Sequence, residues 1–230
     1  MMEISFTPAT DFVEKYVESP IPAMKAIPEW YKKSKTFKPS EVTFDQDFEP
    51  NLHLKNCMPF LDALSVGYIQ KTWCDIHISI EDNELKYRYT LEPQIIGVRD
   101  KVSVPITGFY EAEFIWRTQW RAKLPKGYSL LITHPLNRLD LPFQTMTGFV
   151  DADEFNHTPV GNIPFFIKQG FQGIIPAGTP MLQMIPVKRD DWKMLKNNFD
   201  QEKSLRHERE IRKKFWGGYK DLFRQKKSYT

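Results

Sequence analysis

Two cysteines in 230 residues, Cys57 and Cys74, are too few and too far apart for a disulfide framework or a zinc knuckle, and both are expected to be reduced and structural. No apolar run approaches the roughly 18 residues that a membrane span needs. The opening MMEISFTPATDF has neither the basic nor the apolar region of a secretory leader. The expectation is a soluble, cytoplasmic protein. Glycine is scarce as well, 11 residues against 17 prolines, a balance that disfavours a helical bundle and favours many rigid connections.

What is present is core material. Hydrophobic residues make up 41% of the chain and aromatic residues 14%. At this length a single domain buries roughly 70% of its unfolded surface. Charge is unevenly spread: Lys188 to Lys227 holds 14 basic and 7 acidic residues, +7, which leaves 18 basic and 22 acidic, −4, elsewhere.

Three regions follow from the pattern. Residues 1–69 form a wrapping arm of short helices, one capped by Thr10 or Asp11 and running to Val17, one following Pro28, and one opened by Pro59 and closed by Gly67. Residues 70–189 form an antiparallel β core. Ile76, Ile78 and Ile80 alternate with His77 and Ser79, and Leu85, Tyr87, Tyr89 and Leu91 repeat the period after a polar turn, predicting a hairpin. A strand around 95–106 follows. From Ala112 to Ala122, Phe114, Trp116, Thr118 and Trp120 share one face while Glu113, Arg117, Gln119 and Arg121 share the other, expected to be solvated. Further strands fit Tyr128–His134, Phe143–Asp151, Ile163–Lys168 and Met181–Lys188. Residues 190–230 form a basic helical tail: Asp190 and Asp191 cap a helix through Leu195, and a second begins near Gln201 with Leu205, Ile211, Phe215, Tyr219 and Leu222 on one stripe. The predicted class is mainly β (α+β), an antiparallel sandwich, jelly roll or β-clip-like barrel with short N-terminal helices and a C-terminal amphipathic helix.

Candidate chemistry concentrates between Tyr128 and Arg189, where loops on a rigid scaffold carry His134, Arg138, Asp140, Asp151, Asp153 and His157. Asp before a turn and Asp151-Ala152-Asp153 after a strand also suit turns and caps. A histidine with carboxylates could hold a divalent metal, and His134, Asp140 and His157 are the candidates. Arg117 and Arg121, two pleat repeats apart on one face, would make an anion-facing wall if not paired across strands. The tail, where basic residues interleave with Phe215, Trp216, Tyr219 and Phe223, reads as a packed amphipathic helix or a protein contact rather than a nucleic-acid surface.

Gly148-Phe149-Val150-Asp151-Ala152-Asp153, followed some thirty residues later by Gly178-Thr179-Pro180-Met181-Leu182-Gln183-Met184, resembles the paired signature of the dUTPase and dCTP deaminase superfamily, which has a β-clip fold. The resemblance implies that Asp151 orients a water and that Gln183 contacts nucleotide phosphate or neighbouring backbone. Glu154 and Phe155 stand where that family carries a tyrosine. The turn Pro176-Ala177-Gly178-Thr179-Pro180 resembles one in cupins, with Met181 at the place of their metal histidine. The overall pattern is similar to that of proteins encoded by tailed phages and some bacteria, which would place it in a host cytoplasm.

The leading expectation is a ligand-binding β protein, nucleotide-directed, with its site near the Asp151 hairpin and the Gly178 turn. Asp151 is the catalytic candidate, and Arg117, Arg121, His134, Arg138, Asp153 and Gln183 are the ligand-binding candidates. The alternatives are a non-enzymatic phage interaction or assembly protein and a metal-dependent oxygenase-like barrel. Catalysis is left open and no cofactor is named. A small molecule or nucleotide, a protein bound through the C-terminal helix, and further copies of the chain are the partners considered, without membrane or nucleic acid.

Overall fold

Period-two alternation sets the strands. In the computed structural model, which describes residues 2–36, 53–81, 84–99, 106–155, 160–213 and 218–230, the alternating isoleucines lie on β4 (Ile76–Glu81), with Ile76 and Ile78 buried and His77 exposed. This strand pairs in full antiparallel register with β5 (Glu84–Tyr89). On its other edge β4 takes β13 (Gly173–Ile175), making a three-stranded sheet.

Two larger sheets carry the rest of the core. One has five strands in the order β11 (Gly148–Val150), β9 (Tyr128–Thr133), β14 (Pro180–Lys188), β3 (Tyr68–Lys71) and β2 (Ile21–Pro22). The other has four, in the order β10 (Phe143–Thr145), β12 (Gly161–Ile167), β7 (Glu113–Thr118) and β6 (Ile96–Arg99). A two-stranded ribbon joins β1 (Ser5–Pro8) to β8 (Trp120–Lys123). All pairings are antiparallel. No sheet closes on itself among the described residues, so the open branch of the expected class is the one realised and the barrel branch is not.

The sheets share one apolar core. Trp116 stacks on Phe165 with ring centroids 3.6 Å apart and planes 4° from parallel, and Phe143 sets its edge against both. Each fully buried aromatic side chain contributes about 2–3 kcal/mol. Trp116 cannot leave its indole N–H unpaired in such a place. It donates to Thr145 Oγ1 at 3.0 Å, and that hydroxyl donates to the Met181 carbonyl at 2.6 Å, which ties the four-stranded sheet to the five-stranded one.

The short helices arise where their caps predict. Thr10 Oγ1 accepts from Val13 N at the start of α1 (Asp11–Tyr16), and Pro28 precedes α2 (Glu29–Lys33). Tyr31 of α2 is buried and stacks on Phe60 of α3 (Met58–Ser65). After Val66 the chain turns through Gly67 at φ 71°.

Four features depart from the pattern. The run from Ala112 to Ala122 is broken at Gln119, where the strand leaves β12 and β6 for β1. Its second face is not solvated, because Glu113 and Gln119 are buried, Glu113 paired with Arg99 at 2.7 Å and Gln119 donating to the Gln94 carbonyl at 3.1 Å. The run from Phe143 to Asp151 splits into β10 and β11, which belong to different sheets. Residues 190–200 form no helix: Lys188 takes the side chain of Asp190 at 2.6 Å, removing one predicted cap, and among the described residues no surface packs the apolar side that so short a helix needs. The second tail helix is present as α4 (Gln201–Arg212), capped by Asp200, which accepts from Lys203 N at 3.0 Å, and α5 (Gly218–Leu222) follows. Phe215 and Trp216 lie outside the described residues.

Candidate functional site

The hairpin of β9 and β11 places Gly148 opposite Ile132 and Val150 opposite Leu130. Beyond it the chain turns at once, with Glu154 N and Phe155 N both donating to the Asp151 carbonyl, at 3.0 and 2.7 Å. This turn aims two carboxylates at one cation. Arg189, at the end of β14, donates from Nη1 to Asp151 Oδ1 at 3.0 Å and to Asp153 Oδ1 at 2.9 Å, and from Nη2 to Asp153 Oδ2. Gly127 N donates to Asp153 Oδ2 at 2.8 Å and Ser129 Oγ donates to Asp151 Oδ1 at 2.6 Å. The two acids differ in setting, since the Asp153 side chain is 1% exposed and that of Asp151 64%. The Arg189 guanidinium, helped by Gly127 N, holds the Asp153 carboxyl far below the usual carboxylate range. Asp153 is therefore an ionised anchor that pins the hairpin to the strand end.

Beside this hairpin lies a cavity of about 350 Å³. Leu130, Ile132, Ile163 and Met184 supply apolar wall, and Val150 and Ala152 bring the hairpin itself to its edge. Trp120 and Phe155 add aromatic surface, and Thr118, Arg121 and Asn162 add polar groups. Arg117, opposite Asn162 in the ladder, donates from Nη1 to its Oδ1, which orients that amide. The Arg117 Nε is buried without a hydrogen-bond partner among the described residues. A larger cavity of about 510 Å³, bounded by Tyr68, Tyr128 and Tyr229, contains none of the candidates named from sequence.

His134, Arg138 and Asp140 meet in a second place. The His134 ring is buried; Nδ1 accepts from Thr145 N at 3.3 Å and Nε2 lies 3.0 Å from the Arg138 carbonyl, which fixes a neutral ring with its proton on Nε2. Burial pushes its pKa down, against the pull of the Arg138 carbonyl. Arg138 closes on Asp140 through Nε at 2.9 Å and Nη2 at 2.9 Å. Burial is the largest single influence on Asp140 and opposes its charge, but the hydrogen bonds and the charge of Arg138, with hydrogen bonds from its own backbone N–H and from Trp30, together outweigh it, so its carboxyl lies below its ordinary value. Since Asp151 bonds Ser129 at one end of β9 and His134 follows the other end, the two clusters stand roughly 17 Å apart at about 3.4 Å per residue. They do not form one site. His157 lies outside the described residues, and no group of three metal-ligating side chains occurs among the described ones.

Gln183 is fully committed to backbone. Its Oε1 accepts from Leu136 N at 2.8 Å, and its Nε2 donates to the carbonyls of Ala63 at 3.0 Å and Val66 at 2.6 Å. It clamps the end of α3 and the 134–141 turn onto β14.

Two charged groups escaped sequence reasoning. Arg189 carries the hairpin, yet in sequence it is only the last residue of the predicted β core, beside a region rich in basic residues. Asp62, buried on α3, accepts from Arg224 and Lys227, so part of the basic tail neutralises an acid of the N-terminal region. Only a polar residue on the apolar side of the helix CMPFLDAL hinted at it.

No family model and no curated protein matches the sequence. Among solved structures, a dUTPase mutant from phage phi11 of S. aureus is similar with a TM-score of 0.35 and 13% identity over 86% of this chain and 99% of that one. A likeness of that size carries no conclusion about fold or chemistry.

Proposed function

We propose that this chain is a ligand-binding β protein whose site is the cavity beside the Asp151 hairpin. The cavity carries the reading: about 350 Å³ is within the range of small-molecule sites, and an apolar wall with a few polar groups at one side is their usual composition. The ligand class that fits has a flat, largely apolar body for the space between Trp120, Phe155 and the aliphatic wall, and an anionic or hydrogen-bonding end for Thr118, Arg121 and Asn162. Nucleotides belong to that class, with the base inside and the phosphates toward the arginine. Asp153 and Arg189 act as the frame that holds Val150 and Ala152 in place.

Thermal shift and calorimetry against a nucleoside triphosphate, the corresponding nucleoside and inorganic triphosphate test this. A ligand at 100 times its Kd stabilises by about 2.7 kcal/mol, which for a chain of this size is a rise of roughly 5–10 °C. The nucleotide should give that rise, the nucleoside a smaller one and triphosphate alone none. Val150→Phe, which places bulk in the cavity, should abolish the response. No response to any of the three, or an undiminished one in Val150→Phe, rejects the cavity as a nucleotide site.

A further inference from the structure

From Lys188 to Arg209 every residue is exposed. Within this stretch Trp192 is 91% exposed, Met194 91%, Leu195 73% and Phe199 82%. Together these four side chains present roughly 700 Å² of surface, at about 150–250 Å² for a large side chain, all within residues 190–199. The segment is not a loose end. Arg189 is held by Asp151 and Asp153 before it, and Arg224 is held by Asp62 after it, so both ends of the excursion are fixed to the body.

Its charge and apolar pattern point to what covers it. A standard interface buries roughly 800 Å² on each partner, so the roughly 700 Å² of apolar side chain on one segment needs its polar neighbours as a rim. Two copies supply both halves. Reversed on itself, the sequence Asp191-Trp192-Lys193-Met194-Leu195-Lys196 matches one charge pair and one apolar pair: a two-fold axis between positions 193 and 194 sets Asp191 against the partner's Lys196 and Trp192 against the partner's Leu195, with the aliphatic stem of Lys193 along the partner's Met194. We propose that residues 190–199 form an isologous interface with a second copy of this chain, in that register. The proposal is independent of the cavity, since it uses none of its lining residues.

Sedimentation equilibrium of the full chain across roughly 1–100 µM tests it. The wild type should dimerise. Trp192→Ser combined with Phe199→Ser should be monomeric throughout, with unchanged far-ultraviolet circular dichroism, since both side chains are free of the core. Asp191→Lys and Lys196→Asp should each weaken dimerisation by about fivefold or more at low salt, as two facing ion pairs become repulsive. An equimolar mixture of these two variants should regain the wild-type association, because each then meets an opposite charge. A wild type that is monomeric at the highest concentration overturns the proposal. So does a dimer indifferent to the apolar change, to the charge reversals or to their mixing.

Discussion

Arg224 Nη2 lies 2.6 Å from Asp62 Oδ1, joining the tail to a helix 162 positions earlier. Lys227 Nζ reaches the other oxygen at 2.8 Å. The hydrogen bond from Arg224, with a further one from Lys227, outweighs burial and holds the Asp62 carboxyl below its usual range. Removing one member of such a pair leaves the other partly desolvated and alone. Asp62→Asn should lower stability by about 3 kcal/mol at pH 7, and Arg224→Met by a similar amount. The double variant should lose less than their sum, by about 2 kcal/mol of coupling. Since the folded value is the depressed one, this stabilisation is complete above about pH 4 and disappears as the pH falls further. Urea midpoints of the four proteins at pH 7 and pH 3 check both statements.

Gly67 and Gly127 both have positive φ, 71° and 88°, but only one is crowded. A Cβ on Gly67 would stand 2.2 Å from the Met184 carbonyl oxygen, whereas at Gly127 nothing lies within 4 Å. Gly127→Ala should therefore cost about 1 kcal/mol of backbone strain. Gly67→Ala adds a clash with a backbone of the central sheet that cannot withdraw, and should cost at least about 3 kcal/mol. Equal losses in chemical denaturation would show that the close approach is not decisive.

What the sequence revealed depended on whether local periodicity and tertiary partner agreed. The β4–β5 hairpin was legible because its side chains alternate and its turn is polar, and the Thr10, Pro59 and Gly67 signals act within one turn of their helices. Alternation cannot say where a strand changes sheet, so Gln119 and the gap between β10 and β11 were hidden in unbroken patterns. The candidate residues were legible as polar groups in turns, but their partners were not. Gln183 bonds Ala63, 120 positions away, and Asp153 bonds Arg189, 36 away, and no period or spacing encodes either contact.

His134 gives a pH dependence of a definite sign. Its ring is neutral in the fold, with the pKa pushed down chiefly by burial, while in the unfolded chain an imidazole titrates near about 6.5. Above that value neither state takes up a proton and this residue adds no slope. Below it the unfolded state binds a proton that the folded state refuses, so stability falls with falling pH by up to about 1.4 kcal/mol per unit. His134→Gln should be less stable at pH 7.5, through loss of the Thr145 N acceptor, but should lose less than the wild type between pH 7 and pH 5. Parallel slopes in the two proteins would remove His134 as the titrating group.

Asp151 and Asp153 differ by two positions and share Arg189, yet should respond unequally to the same change. Asn at 153 keeps one acceptor but removes the charge that faces a guanidinium and a backbone N–H in a setting only 1% exposed, and hydrogen bonds to charged groups are worth about 1.5–3 kcal/mol. Asp153→Asn should lose about 2–3 kcal/mol and, because Ala152 and Val150 edge the cavity, should also weaken any ligand held there. Asn at 151 retains an oxygen for the Ser129 hydroxyl, and the carboxylate it replaces is 64% exposed, so the loss should be below about 1 kcal/mol. Ligand affinity should be unchanged in Asp151→Asn if that carboxylate serves only the turn, as its bonds to Ser129 and Arg189 indicate. A variant that melts with the wild type but binds the nucleotide at least tenfold more weakly would instead return Asp151 to the site as a direct ligand contact.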